Sequence, residues 1–419
     1  MLLGVIADDF TGATDIAGFL VENGMKTIQL TDVPAQGFHV NADAVVISLK
    51  SRSCPALEAV ESSLTALAWL IEQGCQQFYF KYCSTFDSCE QGNIGPVTDA
   101  LLDALGSNFT IVCPALPING RTVFNGFLFV LGEPLNESGM RNHPVTPMTD
   151  FSVVRLMDKQ SRGEVGLVTY QDIDQGVNNV KQCFDELSRQ GKRYAVVDAI
   201  NGDHLDVIGR AAKDLKLVTG GSGLATGIAR NWATNLTDQS DSMQAGMPTV
   251  GKSVIFSGSC SVMTNRQVEY YKNRAASLSV DVQSCIENPN YSNEVYQWVD
   301  GHLDDVWAPL IYATTTVEEL TIIQCKYGAD IASQAVERFF SQLAPMLQFR
   351  GVTNYIVAGG ETSGVVVKSL NVKGFYVGPQ ISPGVPWVRS VDQPLSLALK
   401  SGNFGNDNFF VTAQEFYHD

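Results

Sequence analysis

Two glycine-rich turns in the last third of the chain, each closing an apolar run, constrain the fold more than any other feature. Residues 254–256 (Val-Ile-Phe) run into Ser257-Gly258-Ser259-Cys260-Ser261, and residues 355–358 (Tyr-Ile-Val-Ala) run into Gly359-Gly360-Glu361-Thr362-Ser363-Gly364. Each reads as a buried strand that stops at a tight turn and continues into a helix. Such a turn aims free main-chain N–H groups and the positive end of a helix at one point, which suits a phosphate. A single turn of this kind is as well explained by a tight βα connection. Two in one segment point to a nucleotide site.

Composition narrows the classes. A chain of 419 residues that is 45% hydrophobic and 17% charged can bury a large core and is long enough for two domains. The net charge of −16 argues against a nucleic-acid partner, which needs a basic surface, and against an anionic membrane. Nine cysteines, at 54, 75, 83, 89, 113, 183, 260, 285 and 325, include no CxxC pair and several lie in apolar runs. That usage suits reduced thiols in a cytoplasmic protein. The acidic Asp8-Asp9 follows too soon after the first apolar run for a signal peptide, and no run approaches a membrane span.

Strand-like and helix-like segments alternate: strands are expected at 2–7, 26–30, 44–48, 77–81, 110–113, 164–169, 193–198 and 216–219, and helices at 11–23, 55–73 and 93–105. This rhythm predicts an α/β fold in two domains, each a mostly parallel sheet flanked by helices. Residues 114–150, rich in Pro, Gly and Asn, break the rhythm and read as a long irregular functional segment. Residues 237–252 are polar and without periodicity, and read as a linker between domains at 1–245 and 250–419.

Ligands of open parallel sheets sit beyond the carboxyl ends of strands, so polar residues there are the candidates. Asp8 and Asp9 end the first strand; one carboxylate suffices to cap the following helix, which leaves the other for chemistry. Arg52 closes a third strand, and Lys81 a fourth, followed by Ser84, Thr85 and Asp87. Arg121 follows a fifth. A cation, hydroxyls and carboxylates converging there fit a small hydroxy acid. His143 stands in the irregular segment, equally suited to a structural role or a substrate contact. No metal-ligand spacing, GxSxG or Walker A occurs. Residues 220–227 approach a dinucleotide fingerprint without its last glycine, which leaves a hydroxy-acid dehydrogenase as one rival and a two-lobed sugar-acid binding protein as another. Gly402 and Asn403, in a third glycine turn, are placed to complete a nucleotide pocket.

Taken together, Ala7-Asp8-Asp9-Phe10-Thr11-Gly12-Ala13, Ser51-Arg52-Ser53, residues 81–96 and 114–148, Thr219-Gly220-Gly221-Ser222-Gly223-Leu224-Ala225 and the three glycine turns resemble the four-carbon acid sugar kinase family over essentially the whole chain. Segments 81–96 and 114–148 are most similar to its branch acting on 3-oxo-tetronate; kinases of D-threonate or D-erythronate are the alternative. The resemblance implies an N-terminal domain for the sugar acid, a C-terminal domain for ATP with Mg²⁺, and transfer to the terminal O4. It places nucleotide contacts on Ser257, Gly258, Ser259, Gly360, Glu361, Thr362, Ser363, Gly364, Gly402 and Asn403. It places substrate contacts on Asp8, Asp9, Arg52, Lys81 and Asp87, with Asp8 or Asp87 as proton acceptor and Lys81 or Arg52 on the substrate carboxylate. A homodimer is the expected assembly.

Overall fold

The computed structural model describes residues 1–35, 37–142, 146–232 and 239–417, and the chain divides into two units, Met1–Ser242 and Met243–Asp419. The first unit begins with β1 (Leu3–Ala7), β2 (Thr27–Leu30), β3 (Ala44–Ser48), β4 (Gln77–Lys81) and β5 (Thr110–Cys113). It continues with β6 (Arg121–Phe124), β7 (Phe127–Val130), β8 (Glu133–Pro134), β9 (Val165–Val168), β10 (Tyr194–Val197) and β11 (Leu217–Gly220). Eight of these lie side by side in the order β2-β3-β1-β4-β11-β5-β10-β9, every adjacent pair parallel. The strands β1 to β5 are buried along their whole length. A sheet covered on both faces needs continuous apolar runs rather than alternation, which is why the sequence shows them so plainly.

Register sets the ends of the central strands level. Ala7 pairs with Ser48 of β3 on one side and with Lys81 of β4 on the other. From β1 the chain passes to the edge strand β2, returns to β3 between them and crosses to β4, so the connections leave β1 and β4 in opposite directions. The crevice beyond a reversal of this kind is where open sheets hold ligands.

Residues 114–150 are not irregular throughout, as the sequence suggests. Within them β6, β7 and β8 form a small antiparallel sheet. Its two tight turns are Asn125-Gly126 (φ 50° and 75°) and Leu131-Gly132 (φ 54° and 89°). Two successive positive φ values give the turn whose twist matches a hairpin, and Asn-Gly is its strongest sequence signal. Asp198, fully buried, holds the first of these turns: its carboxylate accepts the N–H groups of Asn125 (2.8 Å), Gly126 (2.8 Å) and Tyr170 (3.0 Å). His143 lies outside the described residues.

The expected linker also carries more structure than its composition shows: Gln239–Gln244 is helical, and β12 starts at Lys252. A six-residue helix is too short to display a period.

The second unit comprises β12 (Lys252–Ser257), β13 (Ser277–Ser279), β14 (Leu310–Tyr312), β15 (Val352–Ala358), β16 (Gly374–Ser382), β17 (Val385–Ser390) and β18 (Ser396–Lys400). Their order is β13-β14-β12-β15-β18-β17-β16. The first five are parallel; β17 and β16 run antiparallel at the end. Here the strand order reverses at β12, between β14 and β15. Ser257 pairs with Ala358, and Ala358 with Lys400, so three neighbouring strands end level. Around Trp387, Tyr271, Phe409 and Phe410 an aromatic core closes one side of this sheet.

Asp198→Ala leaves three main-chain donors without their acceptor. The expected loss is about 3 kcal/mol, read by urea unfolding of the full chain. A loss below about 0.5 kcal/mol, the range of an ordinary surface change, shows that the hairpin does not depend on this carboxylate.

Candidate functional site

In the first unit the polar strand ends meet around one arginine. Arg52 directs Nε to Asp8 Oδ2 (3.0 Å) and Nη2 to Asp8 Oδ1 (2.8 Å), and Nη2 lies 2.7 Å from Asp9 Oδ1. The Asp8 carbonyl in turn accepts the N–H groups of Ser51 and Arg52, and the Asp8 N–H donates to the Lys81 carbonyl. Asp8 is 3% exposed. Burial pushes its carboxyl above the ordinary carboxylate range, Asp9 adds to the rise, and the Arg52 fork opposes it. Asp9 caps the helix Phe10–Glu22 by accepting the Gly12 N–H at 2.8 Å.

Gly12 is where the cluster closes. A side chain there would strike Asp9 Oδ1 and come within 2.9 Å of Lys81 Nζ and 3.5 Å of Arg52 Nη2. Lys81 is also 3% exposed; its ammonium donates to the Tyr82 carbonyl at 2.8 Å. Among the described residues neither Lys81 nor Arg121 forms an ion pair within 4.0 Å. Arg121 gives Nη1 to the Asn119 carbonyl at 2.6 Å.

The loop after β4 folds onto the same cluster. Phe86, buried at φ 49°, closes a turn by donating its N–H to the Cys83 carbonyl. Thr85 donates its hydroxyl to Asp87 Oδ1 at 2.6 Å, and Cys83 Sγ lies 2.9 Å from the same hydroxyl oxygen. Since the carboxylate can only accept, the chain of bonds runs from the thiol through Thr85 to Asp87. The Cys83 thiol feels Asp87, Arg52 and Lys81 together, and burial raises it above the usual thiol range. Ser84 is partly exposed and makes no side-chain hydrogen bond among the described residues.

Two participants escape the sequence reading. Asp15 faces Ser222, whose hydroxyl donates to it, and both Lys81 and Arg121 pull on its carboxyl, which burial raises. It lies one turn after Gly12 on the same helix face, which is the signal that could have found it. Asn93, before the helix Ile94–Ala104, donates Nδ2 to the carbonyls of Ser51 (2.7 Å), Arg52 (3.2 Å) and Cys54 (3.3 Å), and so fixes the loop that presents Arg52. The glycines at 220–227 have another explanation than a dinucleotide. They are almost wholly buried, and side chains on Gly220, Gly221 and Gly227 would collide with the carbonyls of Cys113, Pro114 and Leu205. Their job is close main-chain packing.

In the second unit the three glycine turns occupy the level ends of β12, β15 and β18. Ser257 is buried against Thr314, hydroxyl to hydroxyl at 2.6 Å. Gly258 leaves room for the Thr362 hydroxyl, which a side chain would strike. Gly359, at φ 126° and ψ 132°, adopts a conformation that only glycine takes without strain, and it precedes the helix Gly360–Ser369. Ser261 caps the helix Val262–Lys272 by accepting the Thr264 N–H. Gly402 packs against Ser259 and Ser261 of the first turn; a side chain there would come within 2.5 Å of Ser259 Oγ and 2.9 Å of Ser261 Oγ. Gly360, Glu361, Gly364 and Asn403 are exposed around this point, and the Ser363 hydroxyl is buried without a hydrogen-bond partner among the described residues. Two helix N-termini thus open at neighbouring strand ends, with hydroxyls and N–H groups between them, as an anion site requires.

A family model described as a sugar-binding N-terminal domain matches residues 3–228, and one described as a nucleotide-binding C-terminal domain matches residues 254–410. The chain is 57% identical to a 3-oxo-tetronate kinase of Pectobacterium atrosepticum, covering 99% of this chain and 98% of the relative. It is also 57% identical to a 3-oxo-tetronate kinase of Actinobacillus succinogenes, covering both chains completely. A crystal structure of a Haemophilus influenzae protein superposes with a TM-score of 0.93 at 55% identity, covering 99% of this chain and all of that one.

Arg52→Ala leaves the buried Asp8 carboxylate without its partner. The expected loss of stability is about 3 kcal/mol, read by denaturant unfolding, and Asp8→Asn in the same background recovers part of it. No recovery by the double variant would show that the pair is not the source of the loss.

Proposed function

The chain belongs to the four-carbon acid sugar kinase family, and from that premise we propose that it transfers the γ-phosphoryl group of ATP to O4 of 3-oxo-tetronate, giving 3-oxo-tetronate 4-phosphate and ADP. The observation that carries the reading is the end-to-end identity with relatives named 3-oxo-tetronate kinase. The two strand-end clusters supply matching chemistry: one carries cations and carboxylates, the other hydroxyls and main-chain donors. The nine cysteines are all unpaired, which supports a reducing, cytoplasmic setting.

Arg52 is already matched by two carboxylates. The substrate carboxylate therefore falls to Lys81, with Arg121 beside Asp15, since these cations have no ion pair of their own among the described residues. Both oxygens of Asp8 already accept from Arg52, so Asp8 is assigned to holding the arginine and the proton acceptor is sought elsewhere. Asp87 accepts one bond at Oδ1, from Thr85, and its other oxygen is free among the described residues. It accepts the O4 proton as O4 bonds to the γ-phosphorus and the bond from phosphorus to the β,γ-bridging oxygen breaks, leaving ADP.

In the second unit the N–H groups around Ser259, Gly360, Glu361 and Thr362, with Gly402 and Asn403, hold the phosphates. Bound Mg²⁺ would supply positive charge against them. Among the described residues no group of three or more His, Cys, Asp or Glu side chains is arranged for a metal. The ion would therefore enter on phosphate and water oxygens, as Mg²⁺ prefers.

The test is ADP release from the purified chain with ATP, Mg²⁺ and a panel of D- and L-threonate, D- and L-erythronate, and 2-oxo- and 3-oxo-tetronate. Turnover is expected with 3-oxo-tetronate above the no-acid background; silence across the panel would overturn the reading. Asp87→Asn is expected to lower kcat by about 10²- to 10⁴-fold with ADP affinity unchanged, and a near-normal kcat would move the proton elsewhere.

A further inference from the structure

Lys400 ends β18, at the root of the third glycine turn, and is 1% exposed. Its ammonium donates to Thr264 Oγ1 (2.9 Å), the Ser401 carbonyl (3.1 Å) and the Gly402 carbonyl (2.8 Å). Three acceptors match the three N–H bonds of an ammonium. Thr264 spends its own proton on the Gly402 carbonyl at 2.7 Å and accepts from the Ser261 hydroxyl at 3.0 Å. The carbonyl of Lys400 accepts the Gly359 N–H at 2.9 Å. One residue is therefore linked to all three turns: to the third through its side chain, to the second through its main chain, and to the first by way of Thr264, which bonds Ser261.

Every one of these acceptors is neutral. No ion pair among the described residues includes Lys400. The elements that flank it carry Arg266, Glu269, Lys272, Glu361, Lys368, Arg389 and Glu415. Arg266 and Lys272 are engaged at the surface by Asp407 and Glu269, and none of the seven shifts the Lys400 ammonium. Burial alone acts on it and lowers its pKa to about 7. A buried cation without a counter-ion costs folding free energy. Its position under two helix N-termini shows what would offset that cost, because an anion held by the turns is the nearest complement.

We infer that Lys400 is a positioning residue of the nucleotide site, whose buried ammonium ties the three turns into one cradle and has the bound phosphates as its counter-ion. This rests on the reading of the second unit as the ATP site. It has a consequence that a merely structural lysine would not share. Burial disfavours the charged form and bound phosphates favour it, so nucleotide binding shifts Lys400 toward its protonated form.

The experiment is calorimetric titration of the full chain with ADP and MgCl₂ at pH 8, in two buffers of different ionisation heat. Wild type is expected to take up a measurable fraction of a proton per ADP. Lys400→Met, checked for folding by its melting temperature, is expected to take up none and to bind ADP at least tenfold more weakly. ADP binding by wild type without proton uptake overturns the inference, as does a Lys400→Met variant with unchanged affinity and uptake. No ADP binding by wild type overturns the nucleotide reading and this inference together. If the methionine variant does not fold, proton uptake by the wild type decides alone.

Discussion

The first unit depends on a half-buried guanidinium. Arg52 engages Asp8 through both nitrogen arms of its fork and reaches Asp9 with one of them, so one side chain joins the end of β3 to the end of β1. A planar fork can do this and an ammonium cannot, because the two oxygens of Asp8 must be met in one plane. The main chain repeats the link: the Asp8 carbonyl accepts two N–H groups from the Arg52 loop, and the Asn93 amide donates to three carbonyls of that loop. With the strand ends fixed in this way, Lys81 and Asp9 converge on the one helix position, Gly12, that has no side chain to exclude them.

The second unit reaches a similar end by the opposite electrostatic arrangement. Arg52 has its charge cancelled locally by Asp8 and Asp9, whereas Lys400 bonds only neutral oxygens. On the function proposed above, the paired Arg52 holds the strand ends, and Lys81 and Arg121 are the cations assigned to the substrate carboxylate. The unpaired site stores a positive charge for a polyanion. Each solution fits the charge of the partner assigned to it: one carboxylate in the acid, several negative oxygens in the nucleotide.

The sheet of the first unit, and β12 and β15 of the second, were legible because parallel strands covered on both faces must be apolar runs. The strands Ala44–Ser48, Gln77–Lys81 and Thr110–Cys113 fall where such runs occur in the sequence. The residues at their ends were legible for a related reason: a polar residue that breaks an apolar run marks the carboxyl edge. Asp15 was hidden because its meeting with Ser222 and Lys81 depends on which face of the helix Phe10–Glu22 packs on the sheet, and that is tertiary information. Asn93 was hidden because its acceptors are main-chain carbonyls, which have no sequence signature. Lys400 was read only as part of a turn, since nothing local distinguishes a lysine that turns inward from one on the surface. The hairpin at Asn125-Gly126 is different: its turn signal is present, and the surrounding Pro and Gly residues obscured it.

A chain of net charge −16 that binds two anions has to overcome its own field, and the range of that field decides how. At physiological ionic strength exposed charges are screened beyond roughly 8 Å, so carboxylates scattered over the surface act weakly on a ligand in either crevice. Charges inside a crevice are screened far less. Cations with 3% and 1% exposure, Lys81 and Lys400, therefore count for more than many surface residues of opposite sign. The same burial that makes them effective also makes them costly, and the two units meet that cost differently: with Asp15 near Lys81 in the first, and with hydrogen bonds to neutral oxygens under an anion cradle in the second. The acidity of the whole chain thus says little about either site, while the placement of two lysines at strand ends says a great deal.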